Sequence, residues 1–368
     1  MARPSEDELI ARHLAPLAGP GGLGLKDDAA LLAPTPGHEL VLTVDAIVEG
    51  VHFLPGDPPE TLGWKALGVN LSDLAAKGAV PSGFLLVLAL PDGWTEAWLA
   101  AFCAGLGEAS AASGCPLLGG DTVRAAGPPT ISVTALGEVP DGRMVRRTGA
   151  QPGDLLAVTG TIGDAVLGLA LLSSHPFIPG LAQREPETHG SAEIGKHPTD
   201  DATRGFRVFA SPLRRTGEPL NDGEIVDQEW LVDRYRRPRP RLALAEALRD
   251  LAYGAMDVSD GLVGDLAKML RASGVTGTLE LDAVPFSPAA RAAIEADGTW
   301  RDRLVTGGDD YEVLVSLPSE NWAAMQARAA DAGVPITRIG SVQAGTEPLL
   351  VLAGGRPHPL ATGSFQHF

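Results

Sequence analysis

The sequence predicts a two-domain protein of the α/β or α+β class, and three observations carry that expectation. Its 368 residues exceed a typical single domain of about 100 to 200. A composition of 44% hydrophobic and 20% charged residues can build a sizeable core and excludes a chain disordered throughout. Short apolar runs of strand character alternate with stretches of helical periodicity.

In chain order, LVLTVD at Leu40 to Asp45 reads as a buried strand, and Pro58, Pro59 and Glu60 open a helical pattern that runs to Lys77 and stops at Gly78. FLLVLAL at Phe84 to Leu90 is a second strand. Thr95 is placed to cap a helix on which Trp98, Phe102 and Leu106 recur at fourfold spacing. ISVTA at Ile131 to Ala135 alternates like a half-exposed strand. After RRTGAQPGD come a strand at Leu155 to Val158, the turn TGTIGDA and a helix from about Val166, so the boundary is expected near Ala150. Ser173 to Asp233 is rich in Pro, Gly, Thr, His and charge and reads as an insertion or mobile loop. Regular pattern returns at RPRPRLALAEAL and in a helix after Asp260, whose apolar face of Leu262, Leu266 and Met269 ends at Gly274.

The charge balance, 29 basic against 46 acidic residues for a net −17, works against a dominant contact with a nucleic-acid backbone and suits an enzyme that recruits cations. Two cysteines, Cys103 and Cys115, are too few for a disulfide framework and match no zinc spacing. The N-terminus lacks a secretory apolar core and the apolar runs are too short to span a bilayer, so a reduced, cytoplasmic protein without a membrane anchor is expected.

Chemistry is signalled by where the aspartates sit. Asp27 and Asp28 precede an apolar run, Asp45 ends a strand, Asp73 lies within a helix, Asp121 follows a Gly-Gly pair, Asp257 and Asp260 lead into a helix, and Asp309 and Asp310 follow a second Gly-Gly pair. Charges at the edges of apolar segments are costly unless paired or bound to a cation. Asn70, Asp73 and Lys77 at i, i+3 and i+7 form a polar stripe, which either faces water or carries oxygen ligands. Asp257, Ser259 and Asp260 are either helix caps or part of the same acidic set. Carboxylates on strand ends and glycine turns suit a hard ion such as Mg²⁺, which neutralises them and bridges to phosphate oxygens. LLGGDT and TGGDDYE allow close backbone approach to such a ligand, and TGTIGDA either does the same or is a plain tight turn. His52 and the pair Arg146 and Arg147 are further candidates for touching an anionic ligand.

The ordered set KDDAALL, TVDAIVEGVHF, KALGVNLSDLAAKGA, LLGGDT, RRTGAQPGD, MDVSDGLVGDL, TGGDDYE and GSFQHF resembles the thiamine-monophosphate kinase family, within the aminoimidazole-ribonucleotide-synthetase-like superfamily. The resemblance implies an α/β fold of the α+β type: an N-terminal domain over residues 1–149 with a mixed sheet that pairs into a homodimer, and a C-terminal α/β domain over 150–368 carrying the insertion at about 173–233. It implies transfer of the γ-phosphoryl group of ATP to thiamine monophosphate. Asp28, Thr43, Val44 through its backbone, Asp45, Asp73, Asp121, Asp257 and Asp260 would then hold several Mg²⁺ ions, with Asp45, Asp73 and Asp121 central to catalysis. Gly120, Asp121, Arg147 and Ser259 would contact ATP, while His52, Asp309, Asp310 and a stacking Phe365 would meet thiamine monophosphate. Where the family's first motif reads Gly-Asp-Asp, Lys26 stands before the pair.

An acceptor that is already a phosphate needs no strong general base, so a site rich in carboxylates and poor in bases is the expected chemistry. Superfamily rivals are a selenophosphate synthetase, expected to carry a reactive Cys near the start, a hydrogenase-maturation dehydratase with a terminal Cys, and a purine-pathway synthetase; residues 1–102 hold no Cys and the chain ends SFQHF. A non-catalytic divalent-cation-binding protein is the rival from another class.

Overall fold

The computed structural model describes residues 4–174 and 222–360. Helix α1 (Glu6–Leu9), closed by a capping box between Ser5 and Glu8, leads into a four-stranded sheet of order β1-β4-β2-β3. Its strands are β1 (His38–Val48), β2 (Val80–Leu90), β3 (Leu117–Arg124) and β4 (Thr130–Pro140); β2 and β3 run parallel and the other pairs antiparallel. Alternation fixes the faces. Val41 and Ile47 of β1 are buried with Ile131, Val133 and Ala135 of β4, whereas Leu42 and Val44 are 61% and 62% exposed on the opposite face.

The buried face is covered by α2 (Pro59–Ala76) and α3 (Glu96–Ser113). Pro at the first turn starts α2, Thr95 caps α3 by accepting from the Trp98 amide, and Gly114 in the left-handed conformation ends it. Trp98 and Phe102 stack with ring centroids 5.4 Å apart. The two helices meet backbone to backbone: a Cβ on Gly63 would lie 2.1 Å from the Phe102 carbonyl oxygen, and one on Gly105 only 1.7 Å from that of Glu60. With α3 and the sheet on its other sides, α2 turns its remaining flank to the second domain, contacting β6 and β8. A helix enclosed in this way turns few side chains to water, so its polar residues Lys65, Asn70 and Ser72 are buried along with its apolar ones.

The second sheet is seven-stranded, in the order β11-β10-β7-β9-β5-β8-β6. It comprises β5 (Leu155–Thr159), β6 (Gly254–Asp257), β7 (Thr276–Glu280), β8 (Val313–Leu317), β9 (Ile336–Gln343), β10 (Leu350–Ala353) and β11 (Arg356–Pro357). One face packs α4 (Asp164–Ser174), α5 (Asp222–Arg236), α7 (Leu262–Ser273), α8 (Pro288–Ala296) and α9 (Thr299–Thr306); α6 (Ala245–Leu251) and α10 (Trp322–Asp331) pack the other. The division drawn at residues 149 and 150 falls in the connection between β4 and β5.

One expectation is corrected. The stretch Ser173 to Asp233 is not a loop at its C-terminal end, because α5 occupies Asp222–Arg236; Trp230 and Leu231 pack into the domain core, and Gly168 lets α4 approach, a Cβ there lying 2.1 Å from the Leu231 carbonyl oxygen. Charged residues such as Asp233 and Arg234 conceal this face in the sequence. Residues 175–221 lie outside the described residues. Cys103 and Cys115 are buried and unpaired, and burial pushes both thiols up to about 12, so neither is a nucleophile at neutral pH.

Candidate functional site

The polar stripe of α2 does not face water. Asn70 is wholly buried; its side-chain oxygen accepts from the Asp45 amide at 3.0 Å and its nitrogen donates to the Ala66 carbonyl at 3.0 Å. The Thr43 hydroxyl donates to the Asp73 carboxylate, tying the middle of β1 to the helix. Lys77 crosses the domain seam and donates to the Ala255 carbonyl of β6 at 2.8 Å. β6 ends in Asp257, so Asp45, Asp73, Asp257 and Asp260 gather where the two domains meet.

Their electrostatics record the crowding. Burial, then the charges of Asp73 and Asp260, push Asp45 up to about 6. Burial, then Asp73 and Asp265, push Asp257 well above the usual carboxylate range, against the opposing influence of Lys77 and a hydrogen bond from Ser72. Burial pushes the Lys77 ammonium down, while Asp257 and Asp73 oppose that and the nearby Arg147 adds to it. Arg147 is otherwise exposed, at the mouth of the seam. The segment from Asp257 to Asp260 is shaped by Asp265, whose carboxylate accepts from the amides of Ser259 at 3.0 Å and Asp260 at 2.9 Å. Asp257, Ser259 and Asp260 are therefore not the caps of α7; Gly261, with φ +115°, holds that position, and the Asp260 carboxylate is instead ion-paired to Lys268 of α7.

His52 and Asp309 border the same seam. The His52 ring accepts at Nδ1 from the Val48 amide at 3.1 Å, which places its proton on Nε2. Asp309 is one-quarter exposed and ion-paired to Lys65 at 3.0 Å.

The structure separates Asp121 and Asp310 from this set. Asp121 is not beside Asp45. The cross-strand rows run Asp45–Val133–Leu86–Gly120 and Ala46–Ser132–Val87–Asp121, so three strand spacings, about 14 Å, intervene. Asp121 shares its row with the exposed Val87 and so stands on the outer face, with Val44, away from α2. Gly120 is required by close approach, since a Cβ there would meet the Leu86 carbonyl oxygen at 1.9 Å. Asp28 lies in an exposed loop; Lys26 adopts φ −114°, open to any residue, so the usual glycine is dispensable there, and the left-handed angles fall on Leu23 and Leu25 instead. Asp310 does not face a ligand: it is fully buried inside the second domain, both carboxylate oxygens accepting from the Gly163 amide at 2.9 Å. That bond also occupies TGTIGDA, which is a tight turn held by a carboxylate and not a phosphate cradle. Phe365 lies outside the described residues.

Among the described residues, no group of three or more His, Cys, Asp or Glu side chains is arranged to hold a metal ion. The donor set still fits hard cations: it is all oxygen, and burial, with the Asp73 charge beside both, raises Asp45 and Asp257 above the usual carboxylate range. Mg²⁺ characteristically takes one or two carboxylates and completes its shell with substrate phosphates and water, so a fully formed cage is not required.

Lys65, Tyr311 and Asp265 were not singled out by sequence reasoning. Lys65 left one signal, a lone charge in the apolar run GWKALGV.

Residues 26–139 match the AIR synthase related protein N-terminal domain, and residues 211–352 match the corresponding C-terminal domain. A thiamine-monophosphate kinase of Caulobacter vibrioides is 39% identical over 346 residues, covering 92% of this chain and 84% of that protein. The chain belongs to the thiamine-monophosphate kinase family. As a member it is a kinase, and the relationship extends to the thiamine-monophosphate kinase of Escherichia coli K12, 36% identical over 94% of this chain and 92% of that one. The crystal structure of the thiamine-monophosphate kinase from Stenotrophomonas maltophilia superposes with a TM-score of 0.75 at 34% identity, covering 96% of each chain. AaThiL, solved in complex with AMPPCP and TMP, superposes at 0.69 with 27% identity over 99% of this chain and 94% of its own. The hydrogenase maturation protein HypE, at 20% identity and a TM-score of 0.67, shares the fold.

Proposed function

We propose that this chain transfers the γ-phosphoryl group of ATP to thiamine monophosphate, producing thiamine diphosphate and ADP. The observation that carries the reading is the set Asp45, Asp73, Asp257 and Asp260 at the domain seam, in a member of this kinase family. Both reactants are anions, and the acceptor phosphate is already largely dianionic at neutral pH, so no general base is needed. The residues' work is to bind, align and neutralise.

Asp45, Asp73, Asp257 and Asp260, with Thr43, Asp28 and the Val44 backbone, would hold Mg²⁺. Bound there, the ions supply charge neutralisation for two phosphate groups that otherwise repel. Arg147, exposed beside Lys77, adds positive charge at the entrance and is assigned to ATP with Ser259, while Gly120, on the far strand beside Asp121, would join them only across a second copy. His52 and Asp309 line the acceptor side, and Phe365 is assigned to stack on its heterocycle.

The chain is proposed to act as a homodimer through the outer face of the first sheet. Leu42, Val44, Leu85, Val87 and Val123 leave that face apolar and exposed, and Asp121 stands among them. Asp121 can serve an active site only if a second copy covers this face. The test of function is chromatographic detection of thiamine diphosphate after incubation with ATP, Mg²⁺ and thiamine monophosphate; no product overturns the reading.

A further inference from the structure

We propose that Lys65 is the positioning residue of the acceptor side, a buried ammonium that fastens Asp309 and the His52 loop to α2; this deepens the kinase reading and rests on it. The Lys65 side chain is only 2% exposed, so it reaches neither solvent nor substrate. An ammonium carries three donors and is tolerated in such a place only when they are engaged. One contact is the His52 carbonyl at 3.0 Å, a second is Asp309 Oδ2 at 3.0 Å, and the Tyr235 ring of α5 lies 4.1 Å from Nζ, within cation–π range.

These contacts join three separate segments. His52 lies between β1 and α2, Asp309 between α9 and β8, and Tyr235 near the end of α5. Asp309 has its other oxygen engaged by the Tyr311 hydroxyl at 3.2 Å, so both oxygens have directed partners and the carboxylate is aimed. The backbone around it is bent against preference, with φ +72° at Asp309 and +50° at Tyr311, and is retained by bonds from the Asp309 amide to the Ser259 carbonyl and from the Tyr311 amide to that of Val258. Lys65 is the charged anchor of that bend. The amides of Ser259 and Asp260, in contrast, are held by Asp265, a grip that remains when Lys65 is lost, although the Asp309 amide also bonds the Ser259 carbonyl. Loss of Lys65 should therefore loosen the acceptor side and spare the nucleotide side.

The experiment is steady-state kinetics on Lys65→Met, Asp309→Asn and the double variant, with KM measured separately for thiamine monophosphate and ATP. Lys65→Met is expected to raise the acceptor KM by about ten- to a hundredfold, the scale of ångström-sized misplacement, with the ATP KM within about twofold of the parent. The double variant should raise the acceptor KM by less than the product of the two single effects, because the lysine acts in part through that carboxylate and in part through the His52 carbonyl. An unchanged acceptor KM in folded Lys65→Met, an equal rise for both substrates, or multiplying effects would each overturn the proposal. If Lys65→Met does not fold, Lys65→Arg, which keeps the charge but moves it, must show the same split, and an unchanged acceptor KM in it is equally fatal. Absence of thiamine diphosphate formation by the parent enzyme overturns the kinase reading itself and this proposal with it.

Discussion

Replacing Asp45 by Asn should make the metal-free protein more stable and the enzyme inactive. Asp45 titrates at about 6 in the folded chain, chiefly because of burial and then because of Asp73 and Asp260, against an ordinary value of 3.8. A carboxylate raised on folding contributes stability that is fully present below about pH 4 and is lost as pH rises through about 6. Ionising it in place therefore costs about 3 kcal/mol on the usual scale of ~1.4 kcal/mol per tenfold. The Asp45 residue is crowded by neighbouring atoms but open to water, and screening reduces the figure to about 1–2 kcal/mol. Thermal unfolding in EDTA should place Asp45→Asn a few degrees above the parent at pH 8, with the gap closing by pH 4. Adding Mg²⁺ with ATP should raise the parent more than the variant, since only the parent keeps the full donor set. A variant less stable than the parent at pH 8, or a gain that does not vary with pH, would refute the argument that burial and the neighbouring carboxylates penalise ionised Asp45.

Asp73→Asn should retain the fold, as read by circular dichroism, while thiamine diphosphate formation falls by about a hundredfold or more, because its carboxylate is bonded to Thr43 and lies within reach of Asp45 and Asp257. Gly105→Val should destabilise the first domain by about 3 kcal/mol or more in urea unfolding, since even a Cβ would collide with the Glu60 carbonyl at 1.7 Å. Val44→Asp, at a residue 62% exposed in the single chain, should leave the monomer folded but shift light-scattering mass from dimer to monomer, with activity falling in parallel.

How much was legible follows from the range of each interaction. Strands such as Ile131 to Ala135 and helices such as that after Pro58 declare themselves through local periodicity and capping, and the aspartates declare themselves by standing where a carboxylate is costly. Asp257 and Asp260 were visible as an acidic set, but their freedom from capping duty was not, because it depends on Gly261 and on Asp265 turning back to bind their segment. Asp310 and Asp309 are neighbours with opposite fates, one in the domain core on Gly163 and one at the seam on Lys65; consecutive residues share a composition signal but not a direction. Asp45 reads as a strand-end acid and Asp121 as one behind a Gly-Gly pair, and only the pairing register places them, both inside strands, about 14 Å apart on opposite faces. The amino-acid order alone thus determined which elements form, which family the motifs resemble and which side chains carry charge, since those depend on neighbours a few positions away. The tertiary structure alone decided which charges meet: convergence at the seam and the three-way grip of Lys65 arise from contacts between residues as far apart as positions 65 and 309, set by sheet register and domain packing that no local pattern encodes.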